Sequence, residues 1–464
     1  MHSILTFARR GEASVRWRVL AGGVLLLLAV LLTAQVTFTE LMPARPNRPY
    51  WDASQYFDIA ANALEQGGFG AFYNSIRTYG YPLFVTLPRV FITDEHHRPW
   101  MEALRALQFT LHVLTAFIAA GIAARLGAGK RIRWLAFLLV LINPMLLGLT
   151  LQILTETLST FLLALLVLLA LYRRSVLNSV ALGAVLGALI VTRPFYMTWA
   201  LAVAGGLLAL HVILRLITRQ GIPRPHAPEI RRAVLLGMAL AFPLLLVVIP
   251  QLALIYIAEG TIGLTGEWGS EWISTHINTS TYVYKYETFV GVEDLPRMYY
   301  TNTQREALAA DKTLTETILA DLPGYAAHIV LKSIGMFQAY ETSPYRVTTE
   351  DSPLDPVFLM SFVSFAGLVY VLVATGWAAL KSPRTLLTAP AALLLAVLAH
   401  WFAYSIPTIP EPRFITPILP LIAALAVATY SLRRDRWLLV GSVGAALVLY
   451  AITYAVITPT QQVF

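Results

Sequence analysis

Long apolar runs separated by short polar connections dominate the chain. A membrane-spanning helix needs about 20 mostly apolar residues. Eleven runs approach that length, near residues 18–38, 101–125, 134–153, 157–172, 176–192, 195–217, 233–257, 356–378, 386–404, 414–432 and 437–457. The runs at 157–172, 176–192 and 386–404 are short, so we expect those helices to be tilted, kinked or extended. The pattern predicts an all-α fold, a polytopic transmembrane helical bundle of about 11 spans forming a single membrane domain over residues 1–464.

The basic residues support this layout. Each span reverses the side of the membrane, and Lys and Arg concentrate in cytoplasmic connections. With the N-terminus in the cytoplasm, 20 of the 34 Lys and Arg residues fall inside, with only three carboxylates, at Glu12, Glu229 and Asp435. The net charge of +8 is therefore a consequence of topology, and no nucleic-acid partner is expected. We predict an integral protein of the bacterial cytoplasmic (inner) membrane, with membrane lipids as its surroundings.

Composition agrees, because 57% hydrophobic against 13% charged residues excludes an ordinary soluble domain. With no cysteine, disulfides and thiol chemistry are excluded. The first run follows Arg16 and Arg18 as a secretory signal would, but its length favours an uncleaved anchor.

Two outside segments are long, residues 39–100 and residues 258–355, whereas nearly every other connection is short. Connections of this length are usually functional or disordered, and their Trp, Tyr and Pro content argues against disorder. We expect the first segment to carry the catalytic centre and the second, the large loop, to bind acceptor or donor.

In the first segment, Asp52 precedes a helical pattern in which Asp52, Tyr56 and Ala60 share one face. Asp52 is either a helix N-cap or a reactive carboxylate. Arg77, followed by Gly80, Tyr81 and Pro82, offers a planar fork of donors to a phosphate, or contacts lipid headgroups as an interfacial arginine.

Three predicted helix junctions on the same outer side carry further charges. Glu156 lies between the third and fourth runs, Arg193 between the fifth and sixth, and Glu411 with Arg413 just before the tenth. A charge among apolar residues needs a partner, or it extends toward the headgroups. His400, near the outer end of the ninth run, either lines the same pocket or packs. If the bundle brings these ends together, the charges form one outer-face pocket.

The order of these motifs resembles the GT-C superfamily of integral-membrane glycosyltransferases, particularly bacterial relatives of protein O-mannosyltransferases and of lipid A aminoarabinose transferase. The resemblance spans most of the chain. It is carried by the following motifs: Asp52-x3-Tyr56-x3-Ala60, Arg77-Thr78-Tyr79-Gly80-Tyr81-Pro82, Thr155-Glu156-Thr157-Leu158, Thr192-Arg193-Pro194, and Glu411-Pro412-Arg413-Phe414 with Pro417 and Pro420.

The sequence departs from that family at three points. Many relatives have a paired Asp-Glu after the first span, whereas Ala53 follows Asp52 here. This weakens a metal site, and a divalent metal, if one binds, would need Asp52 and Glu156 together. Tyr79 replaces a usual proline, and the Trp-Trp-Asp signature of oligosaccharyltransferase catalytic subunits is missing.

The resemblance implies an inverting transferase that moves a sugar from a polyprenyl-phosphate donor to a glycan, lipid or protein acceptor on the extracytoplasmic side. Asp52 would be the general base, and Arg77, Arg193 and Arg413 would hold the phosphate. Glu156 and Glu411 would orient the sugar or an arginine, and Tyr56 and Tyr81 would hold Asp52 or the substrate. A lipid-linked glycan polymerase or ligase remains the alternative, followed by a transporter, although a transporter would place charges nearer the span centres.

Overall fold

The computed structural model describes residues 22–41, 52–92, 97–172, 175–217, 227–287, 298–338, 356–406, 411–433 and 435–463. Several predicted inside charges, including those at residues 9–18, 173–174 and 434, lie outside these ranges, as do residues 339–355 of the large loop. The chain divides into two compact units, Met1–Arg45 and Pro46–Phe464. The first contains α1 (Gly22–Phe38), whose end passes into a π-helical turn at Val36–Leu41.

The second unit is almost entirely helical. Its α-helices are α2 (Asp52–Gln66), α3 (Gly80–Thr86), α4 (His97–Arg125), α5 (Arg133–Leu141), α6 (Pro144–Thr150), α7 (Thr155–Ala170), α8 (Val176–Thr192), α9 (Phe195–Ile217), α10 (Ala227–Glu259), α11 (Glu267–Thr279), α12 (Thr303–Ala309), α13 (Leu314–Ala320), α14 (Leu322–Gly335), α15 (Pro356–Lys381), α16 (Ala389–Ser405), α17 (Leu419–Arg433) and α18 (Arg436–Ile457). Short 3₁₀ segments occur at Phe69–Phe72, Leu87–Val90, Pro383–Leu387, Pro412–Ile418 and Thr458–Thr460.

The eleven predicted apolar runs are helical in the described residues, although the run at 134–153 is divided between α5 and α6 and the run at 414–432 begins in a 3₁₀ segment. This confirms the all-α membrane fold. Within the described ranges, six helices are long and apolar enough to cross a membrane: α4, α9, α10, α15, the 3₁₀ segment with α17, and α18. The pair α5 and α6 makes a seventh if it is one span, bent by 52°. Four others, α1, α7, α8 and α16, are apolar but shorter. The number of spans therefore stays a prediction.

The bend between α5 and α6 has a local cause. Pro144 cannot donate a backbone hydrogen bond and so starts a new helix. Asn143, in extended conformation, caps that helix, because its Oδ1 accepts from the amides of Met145 and Leu146.

A small antiparallel sheet was not expected from the sequence. β1 (Val283–Glu287) pairs with β2 (Met298–Thr301) within the large loop, and β2 pairs with β3 (Gln461–Val463) near the C-terminus. In the second pairing Met298 lies opposite Val463.

The first long segment is anchored by an apolar cluster of α2, α3 and α4. Ala53, Tyr56, Tyr81, Trp100 and Leu104 are among its buried members. At the start of α3, a Cβ on Gly80 would lie 2.5 Å from the Val191 carbonyl oxygen. Only glycine permits this close approach of the start of α3 to the end of α8.

Candidate active site

Asp52 is the first residue of α2, and its two carboxylate oxygens face two different arginines. Oδ1 accepts from Arg77 Nη2, and Oδ2 accepts from Arg413 Nη2 at 3.0 Å. The Asp52 side chain keeps 29% of its surface exposed. It is thus the accessible carboxylate of the cluster, held between two cations.

Arg77 lies in an irregular stretch ahead of α3 and has a partner at each guanidinium nitrogen. Besides Asp52, Nε donates to Gln55 Oε1 at 3.1 Å and Nη1 donates to Tyr56 Oη at 3.3 Å. The guanidinium also lies 5.0 Å from the Tyr56 ring centroid. Three contacts with the first turn of α2 and the residue after it, at Asp52, Gln55 and Tyr56, fix this arginine over Asp52.

Arg413 sits in the 3₁₀ segment that leads into α17. Pro412 at the start and Pro417 inside this segment lack backbone donors, which favours the tighter helix over a regular α-helix. Arg413 Nε lies 2.8 Å from Glu411 Oε2 and 3.7 Å from Glu156 Oε1. One guanidinium therefore contacts three carboxylates.

Glu156 and Arg193 complete the network at two helix ends. Glu156 lies in the first turn of α7, where the helix dipole favours a carboxylate, and its side chain is 2% exposed. Arg193 follows the last residue of α8 and adopts an extended conformation because Pro194 comes next. Its Nη2 reaches Glu156 Oε1 at 3.3 Å, and its guanidinium lies over the rings of Phe414 and Tyr404, at 5.0 and 5.7 Å.

The structure thus joins all six predicted charged residues into one continuous network, in the order Arg77, Asp52, Arg413, Glu411 and Glu156, Arg193. They come from four regions of sequence spread over more than 300 residues. Tyr56 contacts the network through Arg77.

Two predicted site residues, Tyr81 and His400, contact neighbours of the charge network. Tyr81 is fully buried and donates to Gln108 Oε1 at 2.9 Å, so it supports the network through its edge-to-face contact with Tyr56 and does not hold Asp52. His400 is also fully buried, with Nε2 2.9 Å from the Phe414 carbonyl oxygen. It fixes the backbone next to Arg413.

The arginines change the acidity of Asp52. Burial would raise its pKa, but the charges of Arg77 and Arg413 outweigh burial and lower the pKa to about 2. For Glu411 the balance is opposite, because burial outweighs the attraction of Arg413 and raises the pKa to about 6. The two carboxylates therefore titrate in different pH ranges.

The donor set does not fit a divalent metal on Asp52 and Glu156. Both Asp52 oxygens receive arginine nitrogens, and Glu156 Oε1 faces two more. Among the described residues, His, Asp and Glu form no group of three that could hold a metal ion. Cations of the protein itself occupy the place next to the carboxylates.

Sequence reasoning missed two glutamine side chains, Gln55 and Gln108, that support these charges. Gln55 lies one turn along α2 from Asp52, on the side where Arg77 arrives, so helical spacing offered a signal for it. Gln108 holds Tyr81 and donates to the carbonyls of Thr150 and Gln152. It lies in the middle of α4, where no sequence motif marks it.

Tyr79, the departure from the family proline, has a structural role. Its backbone amide donates to Gln251 Oε1 at 3.0 Å and its hydroxyl donates to the Val247 carbonyl at 2.6 Å. A proline could make neither bond. The segment bearing Arg77 is thereby fixed against α10.

No protein-family model and no curated protein matches this sequence. Solved structures do match. ArnT from Cupriavidus metallidurans, the lipid A aminoarabinose transferase, bound to undecaprenyl phosphate, shares 17% identity at a TM-score of 0.50, covering 92% of this chain and 63% of that one. The apo oligosaccharyltransferase of Archaeoglobus fulgidus shares 12% identity at a TM-score of 0.51, covering 94% and 55%. The same oligosaccharyltransferase was also solved tethered to an acceptor peptide containing the NVT sequon.

This chain spans between about half and two thirds of the length of those proteins. Identities of 12–17% over nearly the whole of this chain show a common fold. The chain has the fold of the GT-C integral-membrane glycosyltransferases.

Proposed function

We propose that this protein is an inverting glycosyltransferase that takes a sugar from a polyprenyl-phosphate donor and passes it to an acceptor on the extracytoplasmic side of the bacterial inner membrane. The sugar is a hexose or a pentose, and the acceptor is a glycan, a lipid or a protein. The N-terminus lies in the cytoplasm and the charge network faces the periplasm.

The observation that carries this proposal is the partly exposed Asp52 carboxylate held between Arg77 and Arg413. A glycosyl transfer of this kind needs one carboxylate to accept a proton and several cations to receive a phosphate. The network supplies both, in a fold that is shared with glycosyltransferases.

In the reaction, the acceptor hydroxyl oxygen forms a bond to the anomeric carbon, and its proton passes to an Asp52 oxygen. The bond from that carbon to the phosphate oxygen breaks on the opposite side, and its electron pair stays on the phosphate. The donor phosphate is a diester with one negative charge, and the product is a monoester that gains another. Because the charge grows during the step, arginines stabilise the transition state more than the bound donor.

The resting site has Arg77 and Arg413 paired with Asp52, and a carboxylate with a pKa of about 2 is a weak base. Donor phosphate competes with Asp52 for the same two guanidinium groups. Once they turn toward the phosphate, the attraction that lowers the pKa of Asp52 weakens, and the carboxylate becomes both free and more basic.

The test is transfer of radiolabelled sugar by the purified protein in lipid nanodiscs, supplied with a panel of polyprenyl-phosphate sugars and candidate acceptors. Asp52→Asn is compared with Asp58→Asn, an exposed acid on another face of α2. We expect Asp52→Asn to lose at least about 100-fold in transfer while binding donor, and Asp58→Asn to retain activity.

Equal transfer by the parent and Asp52→Asn would remove Asp52 as the base. Absence of transfer from every donor and acceptor by the parent would overturn the transferase proposal and favour a lipid-linked glycan polymerase or a transporter.

A further inference from the structure

Arg77 differs from the other two arginines in how its backbone is held. Arg193 and Arg413 lie at helix ends defined by Pro194 and Pro412. Arg77 lies in an irregular stretch between the 3₁₀ segment Phe69–Phe72 and α3. The position of its backbone must therefore be set by hydrogen bonds other than those of a helix or a strand.

Part of that support is local. Asn74 Oδ1 accepts from the amides of Ile76 and Arg77, at 2.9 and 2.8 Å. This turn, closed by an asparagine side chain, sets the direction in which the Arg77 backbone leaves the segment.

Besides the contacts of Tyr79 with Gln251 and Val247, a second distant contact comes from Glu259, the last residue of α10. Its Oε1 accepts from the Tyr73 hydroxyl at 2.6 Å, and its Oε2 accepts from the Glu267 amide at 2.8 Å. One carboxylate thus connects the residue just before the Asn74 turn to the first residue of α11.

Backbone contacts reinforce the same connection. The Gly266 amide donates to the Ser75 carbonyl at 2.7 Å. A Cβ on Gly269 would lie 2.4 Å from that carbonyl oxygen and 3.2 Å from Ile76 Cα, so the first turn of α11 rests directly on the segment. We call Tyr73, Ser75, Glu259, Gly266 and Glu267 the clasp.

We propose that Glu259 is a positioning residue for the charge network, acting through the clasp to hold the segment 73–77 against the large loop and so to place Arg77 over Asp52. Glu259 touches neither substrate nor reacting atoms in this account. A misplacement of about 1 Å at a catalytic group can cost about 100-fold in rate, which gives such a contact a measurable effect.

The hydrogen bond between Tyr73 and Glu259 in the clasp should not change with pH near neutrality. The hydrogen bond to Glu259 raises the pKa of the Tyr73 hydroxyl to about 12. Tyr73 therefore remains a donor across the working range, and the effect of losing the clasp is the same at pH 6 and pH 8.

The first experiment needs no substrate. Hydrogen–deuterium exchange of the full-length protein in nanodiscs is followed by mass spectrometry for Glu259→Ala, Glu259→Gln and the parent. We expect Glu259→Ala to speed exchange at least about tenfold in residues 73–77 as well as at Glu267. Gln can still accept from Glu267 and donate to Tyr73, so Glu259→Gln should restore protection. Glu65→Ala, which removes an exposed carboxylate of α2, is the control.

The second experiment rests on the proposed function and measures transfer kinetics with a polyprenyl-phosphate sugar. We expect Glu259→Ala and Tyr73→Phe each to raise the donor KM about tenfold, with kcat within about threefold. The donor KM of the double variant should be no higher than that of the worse single variant, because both substitutions break the same hydrogen bond between Tyr73 and Glu259. Glu259→Gln should return KM to near the parent value.

Faster exchange confined to Glu267, with residues 73–77 unchanged, would overturn the positioning role. So would an unaltered donor KM in Glu259→Ala when the parent transfers sugar. If the parent transfers no sugar but Glu259→Ala still loosens residues 73–77, the proposed function fails while the clasp stands.

Discussion

Arg413 donates from Nη2 to Asp52 Oδ2 at 3.0 Å, joining residues 361 positions apart in the sequence. Its Nε faces Glu411 and Glu156. One side chain therefore ties the start of α2, the start of α7 and the entrance to α17 into a single site.

Replacing this arginine by lysine should be costly. An ammonium group is a compact point charge and cannot contact three carboxylates at once. We expect Arg413→Lys to lower transfer at least about 100-fold and the free energy of unfolding by about 3 kcal/mol, since the buried Glu411 and Glu156 would lose their contacts with the guanidinium group. Transfer assays and chemical denaturation measure the two effects.

Arg98→Lys is the matched control, because Arg98 forms an exposed pair with Glu102 at 2.9 Å. Exposed pairs contribute about 0–1 kcal/mol, so little change is expected there. Retention of a tenth or more of the activity by Arg413→Lys would contradict the bridging role.

Donor binding should tighten as the pH falls through about 6. Glu411, with its pKa raised to about 6 by burial, gains a proton there, which adds one positive unit to a network that binds phosphate. Asp52, with a pKa of about 2, stays ionised and contributes no change. We expect about tenfold tighter binding at pH 5 than at pH 7.5, measured with a polyprenyl-phosphate sugar, a diester that does not titrate over this range.

Glu411→Gln mimics the protonated state. It should bind the donor at pH 7.5 as tightly as the parent does at pH 5, with no dependence on pH between them. A parent whose donor affinity is equal at both pH values would exclude this role for Glu411.

Gly80→Ala should disturb the site indirectly, by weakening the packing of α3 against α8. The new methyl group would lie 2.5 Å from the Val191 carbonyl, forcing α3 away from α8. We expect a loss of about 1–3 kcal/mol in stability and reduced transfer. Gly70→Ala, where a Cβ would have nothing within 4 Å, is the control and should behave as the parent. A Gly80→Ala protein of parental stability would show that the two helices separate freely.

The Tyr81→Phe variant distinguishes a structural role of the Tyr81 hydroxyl from a role in substrate binding or catalysis. It leaves the ring against Tyr56 but removes the donor to Gln108 Oε1. We expect a loss of about 1–2 kcal/mol in stability, with transfer within about threefold of the parent. A much larger loss of transfer at unchanged stability would instead indicate that the hydroxyl contacts substrate.

Hydropathy was sufficient to locate the long apolar helices, because a membrane span is a property of a continuous stretch, but it did not locate the short helices of the large loop. The alternation of Lys and Arg between the two sides of the membrane then placed Glu156, Arg193 and Arg413 at one end of the bundle. A charge next to an apolar run is costly inside the membrane, so it is expected near a helix end. In the structure, ion pairs join them into one network. Their roles in chemistry stay predictions.

Other features depend on contacts that no local pattern encodes. The bond of Tyr73 to Glu259 spans 186 positions, and that of Tyr81 to Gln108 uses an amide with no motif around it. The sheet was missed for the same reason, because β2 finds β3 more than 150 residues away and neither strand has a long alternating pattern.

That sheet constrains how the chain threads the membrane. Since Met298 pairs with Val463, both lie on one side, and the chain between them must cross an even number of times. Three described segments in that interval are long and apolar enough to cross: α15, α17 with the 3₁₀ segment before it, and α18. If all three cross, parity requires a fourth crossing, and α16, with 17 residues, is the other apolar helix in the described part of that interval. The pairing of three C-terminal residues with β2 thus leads us to predict that α16, although short, also crosses the membrane.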